Sequence, residues 1–154
     1  MSGLKHLVIA LGSNLGDRES TIESAIDLLK EFVVVDKVST LIETDPVGGP
    51  EQGSYINGVL LGRTSLAPEE LMKKLLEVEA GLGRVRSVPN APRTIDLDLI
   101  DYEAVVIDSP TLTLPHPRAF ERHFVIKPWL EIDPEALLVG HGRLQEIAAR
   151  NGWR

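Results

Sequence analysis

The sequence predicts an α/β fold of the α+β kind, in which helices pack on a mainly antiparallel sheet. Two observations predict it. Apolar, β-branched runs and amphipathic segments follow one another in the order β-α-β-β-α-β over the first hundred residues. The 154 residues are 43% hydrophobic and 25% charged, which is the composition of a globular domain. We therefore expect a single domain over residues 1–154, long enough to bury its own core.

Each core element follows from its residue pattern. Ile22, Ala25, Ile26 and Leu29 fall at helical spacing with charges between them, which predicts the first helix. Pro68 stands near the start of the second helical pattern, where its missing N–H is tolerated. The strands are compact runs rich in β-branched residues, bounded by Gly and Pro. The predicted elements are a strand over 6–13, a helix over 16–32, strands over 33–44 and 55–64, a helix over 65–83 and a strand over 93–100.

That order is the ferredoxin-like arrangement, a split βαβ sheet with helices on one face. Seven of the ten prolines lie between Pro89 and Pro134, so we expect the second half to end in a loop-rich C-terminal extension. The extension contains a predicted hairpin strand over 104–107 and a short helix near 144–149.

Charge and cysteine content exclude several classes of protein. A formal net charge of −7 argues against nonspecific nucleic-acid binding. The chain has no cysteine, which excludes disulfides, thiolate catalysis and cysteine zinc sites and fits a cytoplasmic location. No apolar run approaches membrane length and no exposed apolar repeat suggests assembly. We therefore expect a monomer with neither nucleic-acid nor membrane partners.

Two carboxylates on the last core strand are the first candidate functional feature. In RTIDLDLI (93–100), Asp96 and Asp98 share one face of the strand and apolar residues share the other. Their Cα atoms would lie roughly 6.5–7 Å apart, and carboxylates that close repel unless a cation lies between them. Magnesium takes such oxygen ligands and keeps waters for a phosphate. Taken alone, however, the pair fits an ordinary solvated strand face better.

The cations around this strand favour phosphate recognition. Between Leu75 and Ile126 there is no lysine, and every fixed cation is an arginine, whose planar fork binds phosphate oxygens in pairs. Arginines beside an acidic pair make sense if metal ions arrive with a polyphosphate. These residues are Arg84, Arg86, Arg93, Arg118 and Arg122.

Four further side chains each allow a functional and a structural interpretation. His116 lies between two prolines in LPHPR (114–118) and can donate to phosphate or act as acid or base, or it belongs to a structural turn. Glu79 precedes the arginine-rich loop, although an exposed helix glutamate is the simpler interpretation. Tyr55 and Asn57 share a strand face that suits a flat heterocycle, or they are an edge-strand tyrosine and a bulge asparagine.

Three catalytic patterns are absent. GSNLG (12–16) has Asn14 where a nucleophile elbow needs serine. The sequence contains neither a Walker loop nor a His-Glu-x-x-His zinc motif.

Four longer blocks occur together along the chain: LGSNLGDR, ETDPVGGPEQGSYINGV, RVR…PRTIDLDLI and LTLPHPRAFERHFVIKPWLEIDP. In this combination the sequence resembles the 6-hydroxymethyl-7,8-dihydropterin pyrophosphokinase family of folate biosynthesis, over essentially the whole chain. The resemblance implies a ferredoxin-like fold. It also implies transfer of the β,γ-diphosphoryl group of ATP to the hydroxymethyl oxygen of 6-hydroxymethyl-7,8-dihydropterin, with release of AMP and with two bound Mg²⁺ ions.

The resemblance further implies roles for individual residues. Asp96 and Asp98 match the family's metal-binding aspartates. The implied catalytic residues are Arg84, Arg93, Asp96 and Asp98. The implied nucleotide-binding residues are Glu79, Arg84, Arg86, Arg93, Thr113, His116 and Arg122. The implied pterin-binding residues are Thr44, Val47, Tyr55, Asn57, Asp96 and Phe124, with Tyr55 and Phe124 stacking on the ring.

One departure concerns the loop before the PRT motif. Many family members carry a tryptophan there, whereas RVRSVPNAPRT has no aromatic residue and an extra proline. We expect the loop over 84–92 to close over ATP, with looser or different packing. No general base is assigned, because a metal-bound carboxylate such as that of Asp98 has a low pKa.

Two alternative functions remain open from the residues alone. One is a nucleotidyl transferase or cyclase with paired aspartates on a ferredoxin-like sheet, and the other is a metabolite-binding module without catalysis.

Overall fold

The computed structural model describes residues 3–14, 18–44, 55–82 and 95–153, and the fold is given for these ranges. Its elements are β1 (Lys5–Ser13), α1 (Arg18–Leu29), β2 (Val34–Val38), β3 (Ile42–Thr44), β4 (Tyr55–Thr64), α2 (Pro68–Gly81), β5 (Asp96–Tyr102), β6 (Ile107–Asp108), β7 (Thr113–Leu114), α3 (His123–Ile132), β8 (Leu137–Leu138), β9 (Gly142–Arg143) and α4 (Leu144–Asn151), with a 3-10 turn at Ala119–Glu121.

The central sheet confirms the predicted ferredoxin-like order. Its strands run β2-β4-β1-β5, and β1 is antiparallel to both β4 and β5. The sheet therefore places β1, the most apolar strand, in its interior, and β5 with its two aspartates at one end of the order.

Both faces of the sheet carry helices, whereas the sequence predicted helices on one face. On the first face, Leu7, Ile9 and Leu11 of β1 lie in the apolar cluster that includes the buried residues of α1 and α2. On the second face, Val8 and Ile100 lie in a cluster with the buried residues of α3 and α4. The C-terminal extension thus adds a second helical layer.

The helix α3 was not predicted, because Pro128 and the surrounding prolines favoured loops. Pro128 lies inside the helix and cannot donate to the carbonyl four residues earlier. Val125, Ile126 and Trp129 nevertheless bury their side chains against the sheet. Burial of this apolar stripe outweighs the lost hydrogen bond.

The strand predicted over 33–44 is divided into β2 and β3, both paired with β4. The backbone N–H of Ser39 donates to the Val59 carbonyl. The Ser39 Oγ in turn accepts a hydrogen bond of 2.9 Å from the Val59 N–H. A Cβ on Gly58 would approach Leu41 Cδ2 to 2.7 Å, so a larger residue here would displace the end of the Leu41 side chain. This bend directs β3 along the part of β4 that carries Tyr55 and Asn57.

The hairpin strand predicted over 104–107 begins later, at Ile107. Glu103 and Ala104 both have positive φ, 53° and 55°, and the Val105 N–H donates to the Tyr102 carbonyl, so this segment is a tight turn. β6 then pairs with β7. The C-terminal helix predicted near 144–149 is confirmed as α4.

In the ranges that the structure describes, no helix is long and apolar enough to span a membrane. The single domain over 1–154 stays a prediction.

Candidate active site

Three polar residues and a glycine lie close together on the neighbouring strands β4, β1 and β5. Gly12 of β1 pairs with Asp96 on one side and with Asn57 on the other. Adjacent strands lie about 4.8 Å apart, so the backbones of Asp96 and Asn57 are separated by roughly 10 Å. Asp98 lies opposite Ala10, two residues along the same face. The four residues Gly12, Asn57, Asp96 and Asp98 are referred to below as the polar row.

Gly12 lets the Asn57 amide lie close over β1. A Cβ at this position would lie 3.1 Å from Asn57 Oδ1 and 3.8 Å from Tyr55 Cδ1. Any side chain would therefore press on the amide and fill the space beside the ring. Sequence reasoning missed Gly12, and the available signal was a glycine inside an otherwise apolar strand, which marks a close approach.

Asn57 and Thr44 are fixed together. Asn57 Nδ2 donates to Thr44 Oγ1 at 2.6 Å, and Asn57 is 8% exposed. Asn57 lies in regular register, paired with Gly12 and with Ile42, so the bulge interpretation is wrong. Tyr55 lies on β4, which has strand neighbours on both sides, so the edge-strand interpretation is also wrong.

Glu79 is buried, contrary to the simpler expectation of an exposed helix residue. It is 1% exposed, and its Oε2 accepts a hydrogen bond of 2.8 Å from the Leu97 N–H. Leu97 stands between Asp96 and Asp98. The last turns of α2 therefore hold the backbone of β5 at the point where it presents the two carboxylates.

His116 is held against β5 as a neutral imidazole. Its backbone N–H donates to the Ile100 carbonyl at 2.9 Å, and its Nδ1 accepts from the Arg118 N–H at 3.3 Å. Burial, followed by the charges of Arg122 and Arg118, lowers the pKa of His116 to about 4. Since Nδ1 accepts, the proton of the neutral ring lies on Nε2, which is available as a donor.

Arg122 and Phe124 stand together at the start of α3. The guanidinium carbon of Arg122 lies 5.6 Å from the centroid of the Phe124 ring, within cation–π range. Because the charge of Arg122 also acts on His116, these three predicted residues form one group beside β5. The 3-10 turn Ala119–Glu121 lies between Arg118 and Arg122, which are its flanking residues.

Five predicted residues are not joined to this group by any hydrogen bond that the structure describes. Thr113 is exposed at the start of β7, and within the described ranges no hydrogen bond joins its side chain to another predicted residue. Val47, Arg84, Arg86 and Arg93, together with the loop over 84–92, lie outside the described residues.

The donor set of the polar row suits a hard cation that retains other ligands. Among the described residues there is no group of three or more histidine, acidic or cysteine side chains that could hold a metal ion by itself. Asp96 and Asp98 together supply two carboxylates on one face. Such a pair fits Mg²⁺, which completes its shell with waters and substrate phosphates.

A cleft of about 300 Å³ lies at the opposite end of the sheet, away from the polar row. It is lined by His6, Asp101 and Trp129, among others. Asp101 Oδ1 and Trp129 Nε1 have no hydrogen-bond partner there, but both are closed to solvent. Burial raises the pKa of Asp101. The cleft is separate from the predicted site residues.

Comparison with known proteins finds a matching family. The 7,8-dihydro-6-hydroxymethylpterin-pyrophosphokinase (HPPK) family profile matches residues 8–134. A 2-amino-4-hydroxy-6-hydroxymethyldihydropteridine pyrophosphokinase of Bacillus subtilis is 45% identical over 126 residues, covering 80% of this chain and 75% of the relative. The Aquifex aeolicus protein of that name is 42% identical over 129 residues, covering 84% of this chain and 81% of the relative.

Solved structures show the same fold. Wild-type HPPK-DHPS of Plasmodium falciparum superposes with a TM-score of 0.77 at 11% identity, covering 96% of this chain and 43% of that chain. The present chain thus spans less than half of that longer protein.

Proposed function

Because the chain belongs to the HPPK family and transfers a pyrophosphoryl group from ATP to hydroxymethyldihydropterin in folate biosynthesis, we propose that the polar row is where this reaction takes place. The observation that carries the proposal is the pairing of Gly12 with both Asp96 and Asn57, which sets carboxylates and an amide on either side of a residue without a side chain.

The pterin would lie over Gly12. In this proposal Asn57, already oriented by Thr44, bonds to the edge of the ring, while Tyr55 and Phe124 stack on its faces. Asp96 lies directly across Gly12 from Asn57. The hydroxymethyl oxygen of a ring held between them would face the carboxylates of β5. Val47 is assigned to this pocket from the sequence alone.

The triphosphate would lie over β5. Asp96 and Asp98 would hold two Mg²⁺ ions, which when bound neutralise charge on the phosphates. Glu79 keeps the carboxylates in place through Leu97. His116 offers a neutral Nε2–H donor and Arg122 a fixed cation on the other side. The sequence adds Arg84, Arg86, Arg93 and Thr113 to the nucleotide site.

These residues act by position and charge. The hydroxymethyl oxygen attacks the β-phosphorus in line and its proton passes to water, since no general base is assigned. The bond from that phosphorus to the α-phosphate oxygen breaks, and AMP leaves with that oxygen. The arginines stabilise negative charge that accumulates on the transferred oxygens.

The direct test is to incubate the protein with ATP, MgCl₂ and hydroxymethyldihydropterin and to quantify the nucleotide products. We expect AMP and pterin diphosphate in equal amounts, both dependent on Mg²⁺ and on the pterin. A nucleotidyl transferase would release pyrophosphate, and a binding module would give no product, so either result would overturn the proposal. The monomeric state and the cytoplasmic location stay predictions, and sedimentation velocity tests the former.

A further inference from the structure

The side chain of Asn14 is buried without satisfying its hydrogen bonds. The residue is 6% exposed, and in the described part of the chain neither Oδ1 nor Nδ2 has a hydrogen-bond partner. A carboxamide has two donor protons and two acceptor lone pairs, and native proteins pair nearly all such groups when they bury them. An unpaired amide is therefore a cost in the free protein that needs a compensating role.

Asn14 lies next to the polar row, two residues after Gly12 along the chain. Side chains of β1 alternate between faces, so the series Val8, Ala10, Gly12 continues with Asn14 on the face of the row. Ser13 pairs with Ile56, which places Asn14 one step further, beside Tyr55. Gly12 precedes Asn14 on this face and pairs with both Asn57 and Asp96, so no side chain of β1 stands between Asn14 and that pair.

We propose that Asn14 is a further substrate-binding residue, whose amide forms two parallel hydrogen bonds with the edge of the pterin ring. This inference rests on the proposed pterin site. One edge of the pterin ring carries an amide and an amino group, so hydrogen-bond donors and acceptors lie next to each other there. A side-chain carboxamide has one donor group and one acceptor oxygen at a matching distance. Bound pterin thus supplies the partners that the free protein lacks.

The proposal predicts a change in Tm together with a change in pterin binding, a combination that a purely structural role of Asn14 does not predict. Asn14→Leu keeps the approximate shape but removes both polar atoms. Replacing an unpaired buried group by an apolar one of the same shape stabilises a protein, so Tm of the free protein should rise by a few degrees. Pterin binding, measured by titration calorimetry, should weaken at least tenfold, because two hydrogen bonds are lost, whereas binding of Mg²⁺-ATP should stay within twofold.

Asn151→Leu is the matched control. Asn151 Nδ2 donates to the Ile147 carbonyl at 2.8 Å on α4, so this amide is already paired and lies away from the row. The control should lower Tm slightly and leave pterin binding unchanged. Asn14→Ala, which cannot clash, serves as the second variant if the leucine is not accommodated.

The inference is overturned if folded Asn14→Leu fails to raise Tm, since Asn14 then stabilises the free protein. It is also overturned if either folded variant binds pterin as wild type does. These results are distinct from failure of the proposed function, which is seen as absence of pterin-dependent AMP formation by the wild-type protein.

Discussion

The second face of the sheet has two halves built from the same three strands, and they differ in what fills them. In one half Val8, Val59 and Ile100 pack with α3 and α4 into an apolar cluster. In the other half, the polar row, those strands present a glycine, an amide and two carboxylates. The apolar half contributes stability by burial, while the polar row is the half that we propose for substrate binding. Side-chain chemistry, and not strand geometry, separates core from site.

The largest expected effect comes from the polar row. Asp98→Asn should lower kcat by roughly a thousandfold or more, because the change removes a proposed metal ligand and its charge. Unfolding by urea should be little changed, since Asp98 is not part of the apolar cluster. Asp108→Asn on β6, which removes an exposed carboxylate, should leave kcat intact. Near-normal turnover of Asp98→Asn at saturating Mg²⁺ would refute the assignment.

A substitution in the apolar half should have the opposite effect, lowering stability and leaving turnover nearly unchanged. Ile100→Ala should lower the free energy of unfolding by about 2–5 kcal/mol, because Ile100 is 0% exposed and its removal leaves a cavity. Below the unfolding transition kcat should remain within a few-fold of wild type. Val106→Ala, at a residue 71% exposed, should change neither quantity. If Ile100→Ala abolished turnover while still folded, the two halves would not be separable.

The boundary between the halves can be tested at Gly12. Gly12→Ala should raise the KM for pterin by about tenfold, since a contact of 3.1 Å forces the Asn57 amide to shift. The KM for ATP should change little. Gly81→Ala, where a Cβ would meet nothing within 4 Å, is the control and should leave both KM values unchanged. An unchanged pterin KM in Gly12→Ala would show that pterin does not lie over Gly12.

The smallest effect is the pH dependence of His116. The pKa of His116 is about 4 in the folded protein, below its ordinary value of 6.5. As pH falls, His116 therefore becomes protonated in the unfolded chain before it does so in the folded protein. The free energy of unfolding should therefore decrease from about pH 6.5 towards pH 4, and His116 should contribute no further change above that window. Urea titrations across this range should show a shallower dependence for His116→Asn. A His116-dependent step in kcat between pH 7 and 9 would contradict the neutral assignment.

Local patterns were sufficient for much of the fold. The alternation over 95–99 correctly divides Ile95, Leu97 and Leu99 from Asp96 and Asp98, because one face of the strand is buried. The same alternation fails beyond Leu99. The pairing register shifts between Val8 and Ile9, so that β5 has one extra residue opposite β1. As a result, Tyr102 lies in the first apolar cluster and Asp101 lines the cleft at the opposite end of the sheet.

Contacts between segments distant in sequence decided the rest of the site. Glu79 looked like a solvent-exposed helix residue, and only its contact with Leu97, eighteen positions away, buries it. The bend at Ser39 depends on Val59 and Gly58 of the neighbouring strand. No periodicity within either segment carries that information.

The sequence by itself determined the order of strands and helices and the pair of carboxylates on one strand face, since these depend on spacing along the chain and on side-chain chemistry. The phosphate-binding role of the arginines stays a prediction. Only the tertiary structure decided that Gly12 lies between Asp96 and Asn57, that α3 covers half of the second face despite Pro128, and that Asn14 is buried without a hydrogen-bond partner among the described residues. The physical reason is that register and burial are set by neighbours across the sheet, which a single segment does not specify.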